Sequence, residues 1–203
     1  MARKTKEDAL ATRELILDAA ERVFHLRGVS RTSLQEIAKD AGLTRGAIYW
    51  HFENKGELFH AMIQRVTLPM MARNTEITPA DEARPLDKIR QNTAAALHQI
   101  ANDPQVRRVF EIATQKVEYV DELLSVREHH ITGRNECIDD THRLMQLARD
   151  QGQIRTDLDL RSATLGVFAL IGGLKYNWLL EPEAFDLEAV GAQILETYLA
   201  GLV

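Results

Sequence analysis

Between Thr32 and Lys55 the chain reads TSLQEIAKDAGLTRGAIYWHFENK, and its polar groups are mostly hydrogen-bond donors. Arg45 offers a planar guanidinium fork that matches two acceptors at once. Tyr49, His51 and Lys55 add further donors, and Thr32, Ser33 and Thr44 fall where helices are expected to begin. There, hydroxyls join free backbone N–H groups, a combination that holds phosphate oxygens. Such a set binds anions and acceptor-rich edges; it does not pair a nucleophile with a base. No Gly-x-Ser-x-Gly, no Gly-Lys-Ser/Thr phosphate loop and no His-Glu-x-x-His occurs in the 203 residues. His130 and Cys137 can share a helix face, but His142 lies about 120° from His130 around that helix, so neither a zinc site nor a catalytic residue is expected.

The elements that must position these donors are helices. Ile16, Ala20, Val23 and Phe24 form one apolar stripe, and Gly28 follows where a left-handed C-cap would end a first helix. Thr32 and Gln35 have capping-box spacing, and Leu34, Ile37, Ala38 and Ala41 make the buried face of a second. Gly42 closes it. Thr44 caps a short third helix in which Ile48 and Phe52 point inward while Arg45, Gly46 and Tyr49 share the outer face; Asn54 caps a fourth, beginning KGELFHAMI. Two short helices joined by a Gly-containing turn and braced by a preceding helix make a helix-turn-helix, whose second helix enters a DNA major groove. Arg45 is then placed to donate two hydrogen bonds to a guanine edge. Gly46 costs a helix roughly 1 kcal/mol relative to Ala, which points to something approaching its backbone closely. From the residues alone, Trp50 reads as packing rather than a base contact, and His51 either as a further donor on that surface or as a cap or brace for the next helix.

The remainder is helical too, so the fold class is all-α, with no strand alternation and no internal repeat. NTEITPADEARPL, from Asn74 to Leu86, reads as a loop; helical patterns resume in LDKIRQNTAAALHQIA, in VRRVFEIATQKVEYV and from about Glu122 to Gln151, where Gly152 stops the helix. ATLGVFALIGGL, Ala163 to Leu174, is apolar all round and too short to span a bilayer, which predicts a helix buried on every side. Leu187, Val190, Ile194, Tyr198 and Leu202 give a final amphipathic segment. The chain is 45% hydrophobic with a net charge of −5, and the acidity falls in its C-terminal part; MARKTK concentrates positive charge at the start as a basic arm. No apolar run reaches the roughly 18 residues a membrane needs, and no signal peptide is apparent. The single Cys137 agrees with a reducing compartment, so a cytoplasmic protein is expected.

The order T-S-L-Q-E-I-A-K-D-A-G-L-T-R-G-A-I-Y-W-H-F-E-N-K resembles the DNA-binding signature of the TetR family of bacterial repressors. MARKTKEDALATRELILDAAERVF, FEIATQKVEYVDEL and GLKYNWLLEPEAFDL are similar to its AcrR- and TtgR-like branch, which represses multidrug efflux operons. The resemblance implies a homodimer formed through the last two helices, with a DNA-binding domain over residues 1–53 and a ligand-binding and dimerisation domain over 54–203. It implies a palindromic double-stranded operator contacted by Thr32, Ser33, Thr44, Arg45, Gly46, Ala47, Tyr49, Trp50, His51 and Lys55. It also implies a lipophilic inducer, drug or antibiotic, held by Phe110, Thr114, Cys137, Thr141, Phe168, Ile171 and Gly172, with no cofactor or metal. One departure stands out: the helix that carries polar Asn or His groups in relatives reads VFEIATQK, so Phe110 and Thr114 make that site more apolar. The alternatives are a DNA-binding regulator of another operon, controlled by a protein partner or a different metabolite, and a helical enzyme, for which the constellation is missing.

Overall fold

The computed structural model describes residues 6–75 and 78–203, and among them every regular element is a helix. α1 (Lys6–Arg27), α2 (Leu34–Asp40) and α3 (Arg45–Tyr49) are followed by α4 (Lys55–Thr75), α5 (Pro79–Ala83), α6 (Pro85–Asn102) and α7 (Pro104–Gln115). A 3-10 turn over Asp121–Leu123 leads into α8 (Leu124–Asp150), and α9 (Leu160–Leu180) and α10 (Leu187–Ala200) end the chain. The basic arm MARKTK lies outside the described residues except for Lys6, the first residue of α1.

Two compact units emerge: one takes the residues through Thr67 together with Arg108–His130, the other Leu68–Arg107 with Ile131–Val203. The division falls inside α4, α7 and α8, so the first unit is larger than three N-terminal helices. Its core holds Ile16, Leu17 and Phe24 of α1, Ile37 of α2, Ile48 and Phe52 around α3, and Leu58, Phe59 and Met62 of α4, all essentially fully buried. Phe24 and Phe59 meet edge to face at 5.7 Å, the arrangement aromatic quadrupoles favour. In the second unit, Leu86 and Ile89 of α6, Leu144, Met145 and Ala148 of α8, Leu160, Ala163 and Val167 of α9, and Leu195 and Leu199 of α10 form one buried cluster. Gly191 lets α10 approach α6 so closely that a Cβ there would collide with Leu97.

Three sequence expectations are corrected. The stretch Asn74–Leu86 is not a simple loop: α4 continues to Thr75, and Thr78 caps α5, its hydroxyl accepting from Asp81 N at 3.3 Å while the Asp81 carboxylate accepts from Thr78 N at 2.9 Å. Its prolines begin helices, Pro79 in α5 and Pro85 in α6, because the missing N–H is one a first turn leaves unbonded anyway. The capping box of α2 is Ser33 with Glu36, not Thr32 with Gln35. Finally, the apolar run belongs to a longer helix, of 21 residues, long and apolar enough by length and composition to cross a membrane, and within the single chain one of its faces stays open. Thr164, Val167 and Trp178 face inward, whereas Leu165, Leu170, Tyr176 and Leu180 stay 41 to 57% exposed.

Candidate nucleic-acid interface and ligand residues

Local chemistry sets the α2–α3 pair. Ser33 Oγ accepts from Glu36 N at 3.3 Å, and the Glu36 carboxylate accepts from both Ser33 N and Ser33 Oγ at 2.9 Å. Those bonds, with Arg27 adding charge attraction, hold the Glu36 carboxyl below its ordinary pKa. Gly42 takes φ +67°, a conformation an L side chain resists, and so turns the chain from α2 toward α3. Thr44 N-caps α3, its hydroxyl oxygen accepting from Ala47 N at 3.2 Å, which leaves its own proton free to donate.

On α3 the polar groups of the outer face pair with one another. The Arg45 Nη2 donates to Tyr49 Oη at 2.7 Å, and the guanidinium lies 5.3 Å from the Tyr49 ring centroid, one helical turn away. Both side chains are exposed, and Trp50, at the C-cap, is 88% exposed, so the packing expected for it does not occur within the chain. A Cβ on Gly46 would meet only Thr44 Oγ1, at 3.8 Å, so the fold itself does not require a glycine there. Ala47 is half-buried, and the partly buried His51 ring lies tilted beside Phe52 at 6.4 Å, a place that suits a brace.

Two of the predicted contacts are placed otherwise. Thr32 is 3% exposed: its hydroxyl donates to Gly28 O at 2.7 Å and its N–H to Val29 O at 3.2 Å, so it closes the α1–α2 turn and offers nothing outward. The Lys55 side chain is 13% exposed, with its ammonium donating to Ser30 O at 3.3 Å and lying 3.6 Å from a Glu122 carboxylate oxygen. That charge is committed inside the first unit, joining the start of α4 to the segment before α8.

The residues expected at the ligand divide between the two units. Phe110 is half-buried and Thr114 exposed on α7 in the first, and the Thr114 hydroxyl donates to Phe110 O at 2.7 Å. The second contains Cys137 and Thr141 on α8, with the Thr141 hydroxyl donating to Cys137 O at 3.0 Å, and Phe168, Ile171 and Gly172 on α9, all partly buried. Ile171 packs against the apolar core. Burial raises the pKa of the Cys137 thiol, assisted by Asp140 and Glu136. Lys175, one turn beyond Ile171, has its ammonium pushed down by burial, against an opposing pull from Cys137.

A family model of bacterial regulatory proteins of the tetR family matches residues 16–62, spanning the capped α2–turn–α3 arrangement. A second, for the C-terminal region of MAATS-type transcriptional repressors, matches residues 84–203. The chain belongs to the TetR family. It is 39% identical over 193 residues to the HTH-type transcriptional regulator TtgR of Pseudomonas putida, covering 92% of this chain and 89% of that one. Among solved structures it resembles NalD, the secondary repressor of the MexAB-OprM multidrug efflux pump in Pseudomonas aeruginosa, with 33% identity, a TM-score of 0.87 and 97% of both chains covered. SmeT, the repressor of the Stenotrophomonas maltophilia multidrug efflux pump SmeDEF, matches with 35% identity and a TM-score of 0.82, over 97% of this chain and 92% of that one. SmeT has also been solved as a complex with triclosan.

Two charged residues of this TetR-family chain escaped the sequence reading. Glu21 is 4% exposed on α1, and Lys175 interrupts the apolar run of α9. Each carried a signal: Glu21 sits on the same stripe as Leu17, Ala20 and Phe24, where an apolar residue is the rule, and Lys175 stands among ALIGGLKYNW.

Proposed function

We propose that this TetR-family regulator represses a multidrug efflux operon by binding a palindromic operator as a homodimer, and that a lipophilic drug or antibiotic releases it. The single observation that carries the DNA reading is the outer face of α3, where the Arg45–Tyr49 pair flanks a glycine that the protein's own packing leaves bare. Ser33, Thr44, Arg45, Gly46, Ala47, Tyr49, Trp50 and His51 form the proposed contact surface. Residues 1–53 act as the DNA-binding domain and 54–203 as the ligand and dimerisation domain, with Phe110, Thr114, Cys137, Thr141, Phe168, Ile171 and Gly172 at the inducer. No catalytic step is assigned. The protein acts in the cytoplasm, where its DNA is.

The dimer reading is supported by the second unit. Leu165, Leu170, Tyr176 and Leu180 of α9 stand open, nothing lies within 4 Å of a Cβ built on the exposed Gly173, and a groove of about 500 Å³ runs between Leu170 and Ile194, Tyr198 and Leu202. Apolar area of this kind is covered by a second copy through a two-fold contact.

Efflux control and drug release are supported by the relatives NalD and SmeT, both repressors of multidrug efflux pumps, and by the SmeT–triclosan complex. The test is to incubate the purified full chain with sheared DNA of its own genome, recover the bound fragments and sequence them. Enrichment of a palindrome beside genes for an efflux pump is expected, with half-site centres about one helical turn, or a multiple of it, apart. Enrichment without any symmetric motif would refute the DNA reading. A palindrome beside unrelated genes would refute efflux control alone.

A further inference from the structure

Glu21 is a buried carboxylate whose two oxygens serve two different helices. Arg108 of α7 donates from Nε to one oxygen at 2.8 Å, and Arg65 of α4 donates from Nη2 to the other at 2.9 Å. Charge-assisted bonds of this geometry are strong and directional, and Glu21 cannot shift without lengthening at least one of them. Arg65 has further partners on α1. Its Nη1 lies 2.7 Å from Asp18 Oδ1 and 3.2 Å from Glu14 Oε2, so one guanidinium spans three acids on one stripe of α1. Its Nε is buried with no hydrogen-bond partner. A guanidinium that already shares its bonds among three acids, with one buried N–H unsatisfied, can redistribute along that stripe when one of them moves.

α1 in turn is tied to the reading helices. Arg22 donates to the Asp40 carboxylate from Nε and Nη2, at 3.0 and 2.7 Å, and Arg27 reaches the Glu36 carboxylate at 2.5 Å, so both ends of α2 are pinned to α1. Residues 108–115 of α7 lie in the same unit and carry Phe110 and Thr114. A displacement of α7 therefore reaches α1 through the Glu21 carboxylate, beside a second link from Glu111 to His25 at 3.1 Å, and α1 passes it to α2 and α3.

We infer that Glu21, clamped between Arg65 and Arg108, is a positioning residue through which α7 and the operator-reading helices sense each other. The inference rests on the operator reading given above and adds its regulation. When a ligand moves α7, Arg108 draws away from Glu21, Arg65 redistributes toward Asp18 and Glu14, and α1 carries α2 and α3 out of register with the groove. Linkage requires the converse: DNA that fixes α3 must also steady α7.

That converse is testable without knowing the inducer. Hydrogen exchange is measured on the full-length protein with and without the operator duplex recovered above, for wild type, Arg108→Gln and Arg108→Lys. Arg108 is changed because its side chain is 46% exposed whereas that of Glu21 is 5% exposed. In wild type, the duplex is expected to slow exchange in residues 34–49 and, by at least about fivefold, the lower end of ordinary coupling, in 104–115. In Arg108→Gln the first effect persists and the second is largely lost, the remainder passing through His25 and Glu111; Arg108→Lys, which keeps the charge, restores part of it. Should Arg108→Gln not fold, Arg108→Lys alone decides, with an α7 response at least twofold below wild type expected. An α7 response equal to wild type in a folded variant overturns the inference. A wild type whose residues 34–49 do not respond to the duplex instead defeats the operator reading.

Discussion

Replacing Gly46 by Ala separates what the fold needs from what DNA needs, because the two effects have opposite signs. Gly46 is the second residue of α3, after the Thr44 cap and Arg45, and its φ is not in the left-handed region. The added methyl has only Thr44 Oγ1 near it, at 3.8 Å, an ordinary contact, so no strain offsets the lower conformational freedom of Ala in the unfolded chain. In a helix interior the exchange stabilises by about 0.8 to 1.0 kcal/mol. α3 is five residues long and position 46 lies in its first turn, so roughly half of that, about 0.5 kcal/mol, is expected. For a chain of this size that raises the melting temperature by about 1 to 2 °C. On the operator the same methyl stands where the groove must approach. If each half-site loses about 1 to 3 kcal/mol, the cost of one mismatched base pair, a dimer loses at least about 2 kcal/mol, or roughly 30-fold in affinity. Gly46→Val, with a branched side chain, should abolish binding. The assay pairs calorimetric melting with fluorescence anisotropy on the operator at one fixed salt concentration. An alanine variant that melts higher and binds as tightly as wild type would refute close approach at Gly46; one that melts lower would refute the packing argument.

Arg45→Ala should cost about 1 to 3 kcal/mol of discrimination at one guanine in each half-site. Equal losses on operator and scrambled duplex would show that Arg45 does not read a base. Lys55→Ala should leave the slope of log affinity against log salt unchanged, since its ammonium is held by Ser30 O and Glu122, and should instead lower stability by about 1.5 to 3 kcal/mol. A slope shallower by about 2 would return Lys55 to the phosphates. His60 stacks on His129 at a centroid separation of 4.3 Å, in a cleft lined also by Asn54, Glu57 and Ser125. Burial, then the neighbouring His129, lowers its pKa from 6.5. The unfolded chain therefore takes up this proton first, so stability is complete above about pH 6.5 and falls as pH drops toward the folded-state pKa. Urea titrations between pH 7.5 and 5 should show that fall, flattened in His60→Gln; an identical pH dependence in the variant would remove His60 as its source.

The helix-turn-helix was legible because everything that shapes it lies within a few residues. The apolar stripes of α1 and α2, the Gly42 turn, the Thr44 cap and the outward Arg45, Gly46 and Tyr49 follow from local sterics and helical period. Even there, the capping box expected of Thr32 with Gln35 falls one residue early: the Thr32 hydroxyl donates to Gly28 O, and Ser33 with Glu36 caps α2. The same limit, in stronger form, governs the charged groups. Lys55 reads as a phosphate donor until Ser30, 25 residues earlier, and Glu122 are brought against it. Glu21 stands on the apolar stripe of α1, but its partners, Arg65 and Arg108, the latter 87 residues away, are brought to it only by the fold. The apolar run of α9 shows the complementary case. Its composition demands apolar neighbours, but only the packing of α6, α8 and α10 determines which face they cover and leaves Leu165, Leu170, Tyr176 and Leu180 open. Side-chain type and spacing fix what a helix can do. Which of its groups remain free to do it depends on partners distant in sequence, and those are supplied only when the chain folds.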